Sequence, residues 1–316
     1  MKIPTNRVTA AGLIIALGII YGDIGTSPLY VLNAITNGRM ITEDLVLGTL
    51  SCVIWTLTLQ TTVKYVILTL RADNRGEGGI FSLYTLVRRR KKWLVIPAMI
   101  GGAALLADGM ITPPISVTSA VEGLRQISYF SSITTSQIIG IVIIILTILF
   151  FLQQFGTASI GRLFGPMMAV WFFMLAGLGS MHLFDYAGVF KAFSPHYAIN
   201  LLRSDGGQGF WILGGVFLCT TGAEALYSDL GHCGKWNIRY SWMFVKTCLI
   251  INYLGQGAWL LSHLKGQAIT SEMIDAGFNP FYGVMPQEFK IIGIVIATMA
   301  AIIASQALIS GSFTLI

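Results

Sequence analysis

Four carboxylates lie where the surrounding sequence is apolar enough to be inside a membrane. They are Asp23, Asp108, Glu122 and Glu224. A charged side chain at the centre of a bilayer costs about 3 kcal/mol on insertion scales, so it needs a partner, water or a bound cation. These four acids are therefore the first candidates for functional residues.

The sequence around Asp23 predicts a broken helix. Gly22 and Gly25 loosen the backbone, and Pro28 cannot donate the hydrogen bond that a continuous helix requires. Ser27 followed by Pro28 is typical of an N-cap and a first helical position, so a second half-helix is predicted to start there. Such a break frees carbonyls at the C-terminal end of the first half, which favours a cation. A proline kink beside a protonated Asp23 is the alternative.

Asp108, Thr112 and Ser116 are spaced by four residues. On an α-helix this spacing places them along one stripe. Pro113 and Pro114 remove two backbone donors within the stripe, which leaves two carbonyls of the preceding turn free. Hard cations prefer such oxygen ligands. Helix–helix hydrogen bonding is the alternative role for the two hydroxyls.

The other two acids differ in their surroundings. Glu122 follows Asp108 by 14 residues, about 21 Å along a helix, so the two cannot share a site. Glu122 suits a pathway or proton-relay role, and an ion pair with Arg125 explains it equally well. Glu224 follows Gly222, a weaker helix-breaking signal, and a carboxylate near two threonines at this depth favours an ion or proton site.

The composition explains why these acids must be positioned by membrane helices. The chain has 316 residues, 54% hydrophobic and 11% charged, with a mean hydropathy of +0.73. An ordinary soluble domain is about 25% charged, so a soluble fold is excluded. Segments long enough to cross a bilayer predict about eight spans. They are 8–37 (interrupted), 45–70, 94–124, 134–153, 163–183, 209–231 (interrupted), 243–263 and 289–312.

Basic residues predict the orientation. The net charge is +6, and most Lys and Arg fall in alternate loops if the N-terminus is cytoplasmic, as the positive-inside rule requires. The basic run 88–92 is interpreted as a topological anchor, with a lipid-binding patch as the alternative. The glycine-rich segment 72–79 lacks the Gly-Lys-Ser/Thr ending of a phosphate-binding loop and predicts a tight turn.

Cysteine and histidine spacing indicates no further chemistry. Neither a disulfide framework nor a zinc site is suggested, so we expect buried thiols, no transition metal and no cofactor. No intramembrane nucleophile has a paired base, which argues against an enzyme. The four cysteines are Cys52, Cys219, Cys233 and Cys248.

Interrupted spans at the first and sixth positions, each with an acid, match the plan of inverted-repeat transporters. We therefore expect an all-α polytopic membrane protein, a single transmembrane domain over 1–316. A first five-helix repeat would cover 8–183 and a partial second repeat of about three helices 209–316. The second repeat is incomplete, and the last residues carry no polar terminus, so we expect a truncated chain.

At several motifs the chain closely resembles the KUP/HAK/KT family of potassium uptake transporters. Arg75 and Pro114 are small departures from the family pattern. The matching segments are 21–30 (YGDIGTSPLY), 72–79 (ADNRGEGG), 107–113 (ADGMITP), 119–123 (SAVEG), 221–226 (TGAEAL), 252–258 (NYLGQGA) and 302–312 (IIASQALISGS).

The resemblance implies an APC-superfamily, LeuT-like fold that imports K⁺ across the cell (inner) membrane, typically with H⁺. It also implies two sets of residues. Asp23, Tyr30, Asp108, Thr112, Ser116 and Thr221 would bind K⁺, with Asp23 and Asp108 as its charged ligands, whereas Glu122 and Glu224 would serve proton coupling. Among these, Tyr30 and Thr221 rest mainly on the resemblance.

Other functions stay open at this point. The expected partners are K⁺, H⁺ and the lipid bilayer, with a homodimer left open and no nucleic acid. An amino-acid or polyamine transporter of the same fold is one alternative, although Asp23 would repel a substrate carboxylate. A truncated fragment that does not transport is another. A channel would need a selectivity-filter loop, and the sequence shows none.

Overall fold

The computed structural model describes residues 8–88, 91–130, 132–153, 161–204 and 208–313. Within these ranges the chain is helical, and its only β-pairings are two isolated bridges, Met40 with Ala268 and Asn74 with Glu77. The α-helices are α1 Ala10–Ile19, α2 Gly22–Thr26, α3 Val31–Thr36, α4 Glu43–Thr56, α5 Ile80–Val87, α6 Val95–Glu122, α7 Thr135–Gln153, α8 Gly161–His182, α9 Pro195–Ser204, α10 Gln208–Phe217, α11 Ala225–Ser228, α12 Leu230–Cys233, α13 Lys235–His263, α14 Ser271–Asp275, α15 Pro280–Gly283 and α16 Lys290–Phe313.

The helices include five that are long and apolar enough to cross a bilayer. A sixth span forms if Ala10–Ile19 and Gly22–Leu29, bent by 68° at their junction, are taken together. The chain is thus an all-α, multi-pass membrane protein, as predicted. The five are Glu43–Arg71, Lys92–Gln126, Leu163–His182, Gly209–Ser228 and Gln287–Ser312.

Two of the eight predicted spans are helical but are not among these six. The apolar helix at Thr135–Phe151 is shorter than a full span. Helix α13 has 29 residues but carries buried amides such as Asn252 and Gln256. Polar residues of this kind lower the hydropathy of a helix whose polar face contacts protein instead of lipid.

Small residues let the central helices approach closely. Gly179 of α8 packs against the α13 backbone at Ile251 and Asn252, and Gly255 of α13 packs back against Gly179. The Asn252 amide donates to the Leu175 carbonyl of α8 over 2.9 Å. Close backbone contact and interhelical hydrogen bonds are how helices associate in lipid, where apolar burial gives little drive.

Helix α16 closes the bundle around the first span. The backbone of Ala304 lies so close to Gly22 that an added Cβ would approach its Cα to 2.9 Å. Further along, Ser312 packs against Gly109 of α6. The two glycines thus allow α16 to contact both α2 and α6. The predicted boundaries of the two repeats stay a prediction.

One end of the bundle is held together by exposed charges. Glu43 at the start of α4 accepts from Lys265 Nζ at 3.1 Å and lies 3.6 Å from Lys191 Nζ. Tyr186 also hydrogen-bonds to Glu43. We call Glu43, Tyr186, Lys191 and Lys265 the outer latch, because the predicted topology places them outside. The backbone of 38–41 pairs beside it with 266–269.

The opposite end carries the glycine-rich segment, which forms the predicted tight turn. Asn74 and Glu77 exchange backbone hydrogen bonds of 2.9 and 3.1 Å, with Arg75 and Gly76 at positive φ between them. The cysteines are free and buried, as expected. Of the basic run 88–92, residues 89 and 90 lie outside the described residues.

Candidate functional site

The first span breaks, but earlier than predicted. Helix α1 ends at Ile19, and α2 begins at Gly22, so the bend lies before Asp23. Ser27 does not cap a half-helix: its backbone is αR, and its hydroxyl donates to the Leu218 carbonyl at 3.1 Å. Asp23 therefore lies in the first turn of the second segment and not before it.

The sixth span breaks at the same level. Helix α10 continues as a 3-10 turn to Thr220, and α11 starts only at Ala225. Gly222 has φ +84°, a conformation that favours glycine. The one helix breaker noted in this segment therefore produces a full interruption.

The two breaks touch each other. A Cβ on Gly222 would lie 2.7 Å from Asp23 Cβ and 2.9 Å from the backbone nitrogen of Ile24. Thr221 precedes this contact, half-buried and with a non-helical backbone. The structure thus brings Asp23 and the segment of Thr221 together through Gly222.

Asp23 is buried without a donor. The residue is 6% exposed, and neither carboxyl oxygen has a hydrogen-bond partner among the described residues. Two further acids, Asp108 and Glu224, lie close enough to interact electrostatically with it. Glu224 also interacts with Asp108. Three carboxyl groups from three helical segments therefore lie within electrostatic range of one another, and like charges in such a place favour a cation or protons.

The three residues of the α6 stripe contact one another or the first span. The Thr112 hydroxyl donates to Asp108 Oδ1 at 2.7 Å, and Ser116 Oγ lies 3.4 Å from Thr26 Oγ1. Thr112 and Ser116 are buried, and Asp108 is half-buried. The α6 stripe thus faces α2 and the Asp23 segment.

Hydroxyl groups extend this region beyond the acids. Tyr30 is buried, with its hydroxyl 3.5 Å from Ser27 Oγ, and it interacts with Ser116 and with the charge of Asp23. Thr26 donates to the Asp23 carbonyl at 2.9 Å. The hydroxyls and carboxylates form one continuous polar region inside an apolar bundle, a composition suited to a dehydrated cation.

Amide and indole donors hold the backbone of the broken span. Trp171 Nε1 donates to the Gly25 carbonyl at 2.9 Å. Gln256 Nε2 donates to the Pro28 carbonyl at 3.1 Å, and Asn279 Nδ2 to the Leu29 carbonyl at 2.8 Å. A broken helix needs such partners because unsatisfied carbonyls are costly in lipid.

A cavity of about 410 Å³ reaches this region. Asp23 of the predicted K⁺ site and Glu224 of the predicted proton pathway line it, while the other predicted K⁺-site residues are not among its described lining residues. Its far end is formed by the glycine-rich segment and by the end of the sixth span, including Gly78, Gly79, Ser228, Asp229 and His232. The cavity therefore leads from the acids to the end of the bundle opposite the outer latch.

Glu122 is not among the described residues that line the cavity. It ends α6 near Arg125 and interacts with the buried Tyr282, whose hydroxyl donates to the carbonyls of Ser119 and Ala120 at 3.1 and 2.9 Å. The guanidinium of Arg125 also donates to Thr135 at 2.7 Å. Both roles considered for Glu122 are compatible with this place.

Sequence reasoning overlooked several members of the region. The sequence patterns do not assign Thr26 or Gln256 to the site, and they assign Ser27 only a capping role. Polar residues within apolar spans are the signal that would have found them. Among the described residues no group of three or more His, Cys, Asp or Glu is arranged to hold a metal ion, so hydroxyls and carbonyls must supply much of any cation ligation.

A family model decides the relationship of this chain. The model described as "K+ potassium transporter integral membrane domain" matches residues 10–316. The chain belongs to the K⁺ potassium transporter family. The match covers the broken first span, the α6 stripe and the sixth span.

Curated members of the transporter family are similar over almost the whole chain. Identity is 63% to the "Probable potassium transport system protein Kup" of Cytophaga hutchinsonii, over 98% of this chain and 46% of that protein. The protein of the same name in Clostridium perfringens strain ATCC 13124 is 56% identical, over 100% and 48%. "Kup 2" of Lactococcus lactis strain IL1403 is 56% identical, over 98% and 46%. The chain spans about half the length of these relatives, and no solved structure matches it.

Proposed function

We propose that this chain forms the ion-binding part of a K⁺ uptake transporter. The observation that carries the proposal is the contact between the two helix breaks. It places Asp23, whose carboxyl has no hydrogen-bond partner in the described part of the chain, beside Gly222 with Asp108 and Glu224 nearby. The family relationship and the printed names of its relatives support K⁺ as the substrate. The role is that of a transporter and not of an enzyme.

The K⁺ site would combine charges and neutral oxygens. Asp23 and Asp108 supply the negative charge, and Tyr30, Thr112, Ser116 and Thr221 the neutral oxygens. The hydroxyl cluster around Ser116 supports this set, because K⁺ sheds its water only where several oxygens replace it. K⁺ would enter from outside and leave through the cavity as the two repeats rock about the site.

Proton coupling is the second part of the proposal. Glu224 lines the cavity beside Asp108, so it is placed to exchange a proton with the inner side. Glu122, near the other end of α6, would serve the outer part of the proton pathway. The N-terminus would be cytoplasmic and the membrane the cell (inner) membrane, as the basic loops indicate.

The test of the K⁺ site replaces Asp23. Because the chain spans half of its relatives, the transport assay uses a chimera in which it replaces the matching part of the Cytophaga hutchinsonii relative. Asp23→Asn should abolish Rb⁺ uptake into liposomes while the chimera still inserts. The matched control is Asp44→Asn, at an exposed acid at the start of α4. Unchanged uptake by Asp23→Asn would refute the site.

The same liposomes test coupling and substrate. An imposed inward proton gradient should accelerate Rb⁺ uptake, and an uptake rate that ignores the gradient would contradict symport. Competition by K⁺ but not by Na⁺ or amino acids separates K⁺ transport from the amino-acid and polyamine alternative.

A further inference from the structure

The inner end of the cavity carries a titratable pair that the proposed K⁺ and proton sites do not use. His232 and Asp229 both line the cavity, and His232 Nδ1 lies 3.4 Å from Asp229 Oδ1. The His232 side chain is 75% exposed, whereas that of Asp229 is 27% exposed. The pair therefore joins the cavity to the aqueous phase.

A row of polar groups runs from the membrane-depth acid to this pair. Glu224, Ser228, Asp229 and His232 all line the same cavity. Ser228 Oγ donates to the Glu224 carbonyl at 3.2 Å, which fixes the hydroxyl along the row. Glu224 and His232 line the same cavity, so water within it can bridge them.

We infer that His232, oriented by Asp229, is the group that accepts protons at the inner mouth of the cavity and passes them to the aqueous phase. This inference rests on the proposed proton coupling and adds the residue at which protons leave. In the neutral imidazole the Nδ1 proton faces Asp229, so the Nε2 lone pair takes a proton from a hydronium ion in the cavity: one O–H bond of that ion breaks and an Nε2–H bond forms. The Nε2–H bond then breaks, the proton passes to a bulk water molecule, and the neutral imidazole is restored.

The charges around His232 suit this role. Asp229, in the same segment, and Glu77, in the glycine-rich turn, place negative charge near the imidazole. These acids raise the pKa of His232 above its ordinary value, and the partial burial of the imidazole opposes this rise. Glu77 packs against Gly231, next to the histidine. Helix α1 presents no charged residue within Ala10–Ile19.

The nearby basic residues belong to α13. Lys235 begins that helix, and Arg239 is engaged with the Val66 carbonyl and the Trp236 ring. The negative charges of Asp229 and Glu77 therefore have the larger electrostatic effect on the imidazole of His232. A raised pKa increases the fraction of His232 that is protonated at a given pH.

The test measures K⁺-dependent proton flux and Rb⁺ uptake in the chimera as the inner pH is varied. His232→Gln should slow proton-driven Rb⁺ uptake about tenfold or more while Rb⁺ binding stays unchanged. Asp229→Asn, which keeps the imidazole, should move the midpoint of the inner-pH profile to lower pH. Glu77→Gln should move it in the same direction by less. The matched control is His263→Gln, at an exposed histidine at the far end of α13.

The outcomes separate the two proposals. If the unmodified chimera shows no K⁺-dependent proton flux, the proposed coupling fails and this inference fails with it. If that flux is present but His232→Gln matches the unmodified protein, only the assignment of His232 is overturned. Loss of Rb⁺ binding in His232→Gln, or an Asp229→Asn profile that falls in height without shifting, would indicate a merely structural role and would also overturn it.

Discussion

Two carboxylates of this chain show how surroundings decide the role of an acid. Glu43, in the outer latch, has a side chain 32% exposed with two lysines and a tyrosine around it. Asp23, at the helix break, is 6% exposed and has no donor for either oxygen among the described residues. Both lie at the start of a helical segment, yet only Glu43 is satisfied by the protein itself.

The difference separates a structural charge from a binding charge. An exposed ion pair is screened by water and contributes little, so Glu43 can connect loops at small cost. A buried carboxylate without a partner is costly unless something outside the chain neutralises it. The comparison therefore predicts large effects of substitutions near Asp23 and small effects in the outer latch.

The largest effect is expected at Gly222. An alanine there would hold φ near +84°, which L-residues rarely adopt, and would place its Cβ 2.7 Å from Asp23 Cβ and 2.8 Å from Oδ2. Gly222→Ala should therefore reduce Rb⁺ uptake by the chimera more than about tenfold. The control is Gly214→Ala in the same span, where an added Cβ meets nothing within 4 Å. Equal loss in both variants would show that the contact with Asp23 is unimportant.

The sequence alone predicts the buried acids and a helix break beside Asp23. Asp23, Asp108 and Glu224 are recognisable because charged residues are rare in apolar spans, and Pro28 with the neighbouring glycines predicts the break. The break itself is several residues earlier than predicted, and the Ser27 hydroxyl, which was expected to cap a helix, donates to the Leu218 carbonyl. That acceptor is 191 residues away in the chain, so no local pattern could reveal it.

The same reason explains why the sequence predicts neither the outer latch nor the hydrogen bond from the Gln256 amide to the Pro28 carbonyl. Glu43 and Lys265 are separated by 222 residues, and Gln256 and Pro28 by 228. Helix periodicity determines which residues share a face of one helix, but pairing between distant segments depends on how the whole bundle packs. The sequence therefore indicated the type of residue at the site better than its partners.

A medium effect is expected from Gln256, which supports the break without contributing charge. Gln256→Leu removes the donors to the Pro28 carbonyl and to Asn252 Oδ1, at 3.1 and 2.7 Å. Leaving buried acceptors unpaired costs about 1–3 kcal/mol. Thermal unfolding in detergent should show a lower midpoint, and apparent Rb⁺ affinity should weaken because the backbone near Tyr30 is less well held.

The matched control for Gln256 is Ser262→Ala on the same helix, whose hydroxyl is exposed and bonds only locally among the described residues. Equal unfolding midpoints for the two variants would mean that the Pro28 carbonyl needs no support from α13.

The smallest effect is expected in the outer latch. Glu43→Gln removes the partner of Lys191 and Lys265. Because these groups are largely exposed, the unfolding midpoint should fall by less than about 3 °C, and the difference from the unmodified protein should shrink as salt is added. Rb⁺ uptake should persist, unlike in Asp23→Asn. If Glu43→Gln instead abolished uptake at every salt concentration, the outer latch would belong to the transport machinery. Hydrogen-bonded partners within the protein would then not distinguish a structural acid from an ion-binding acid.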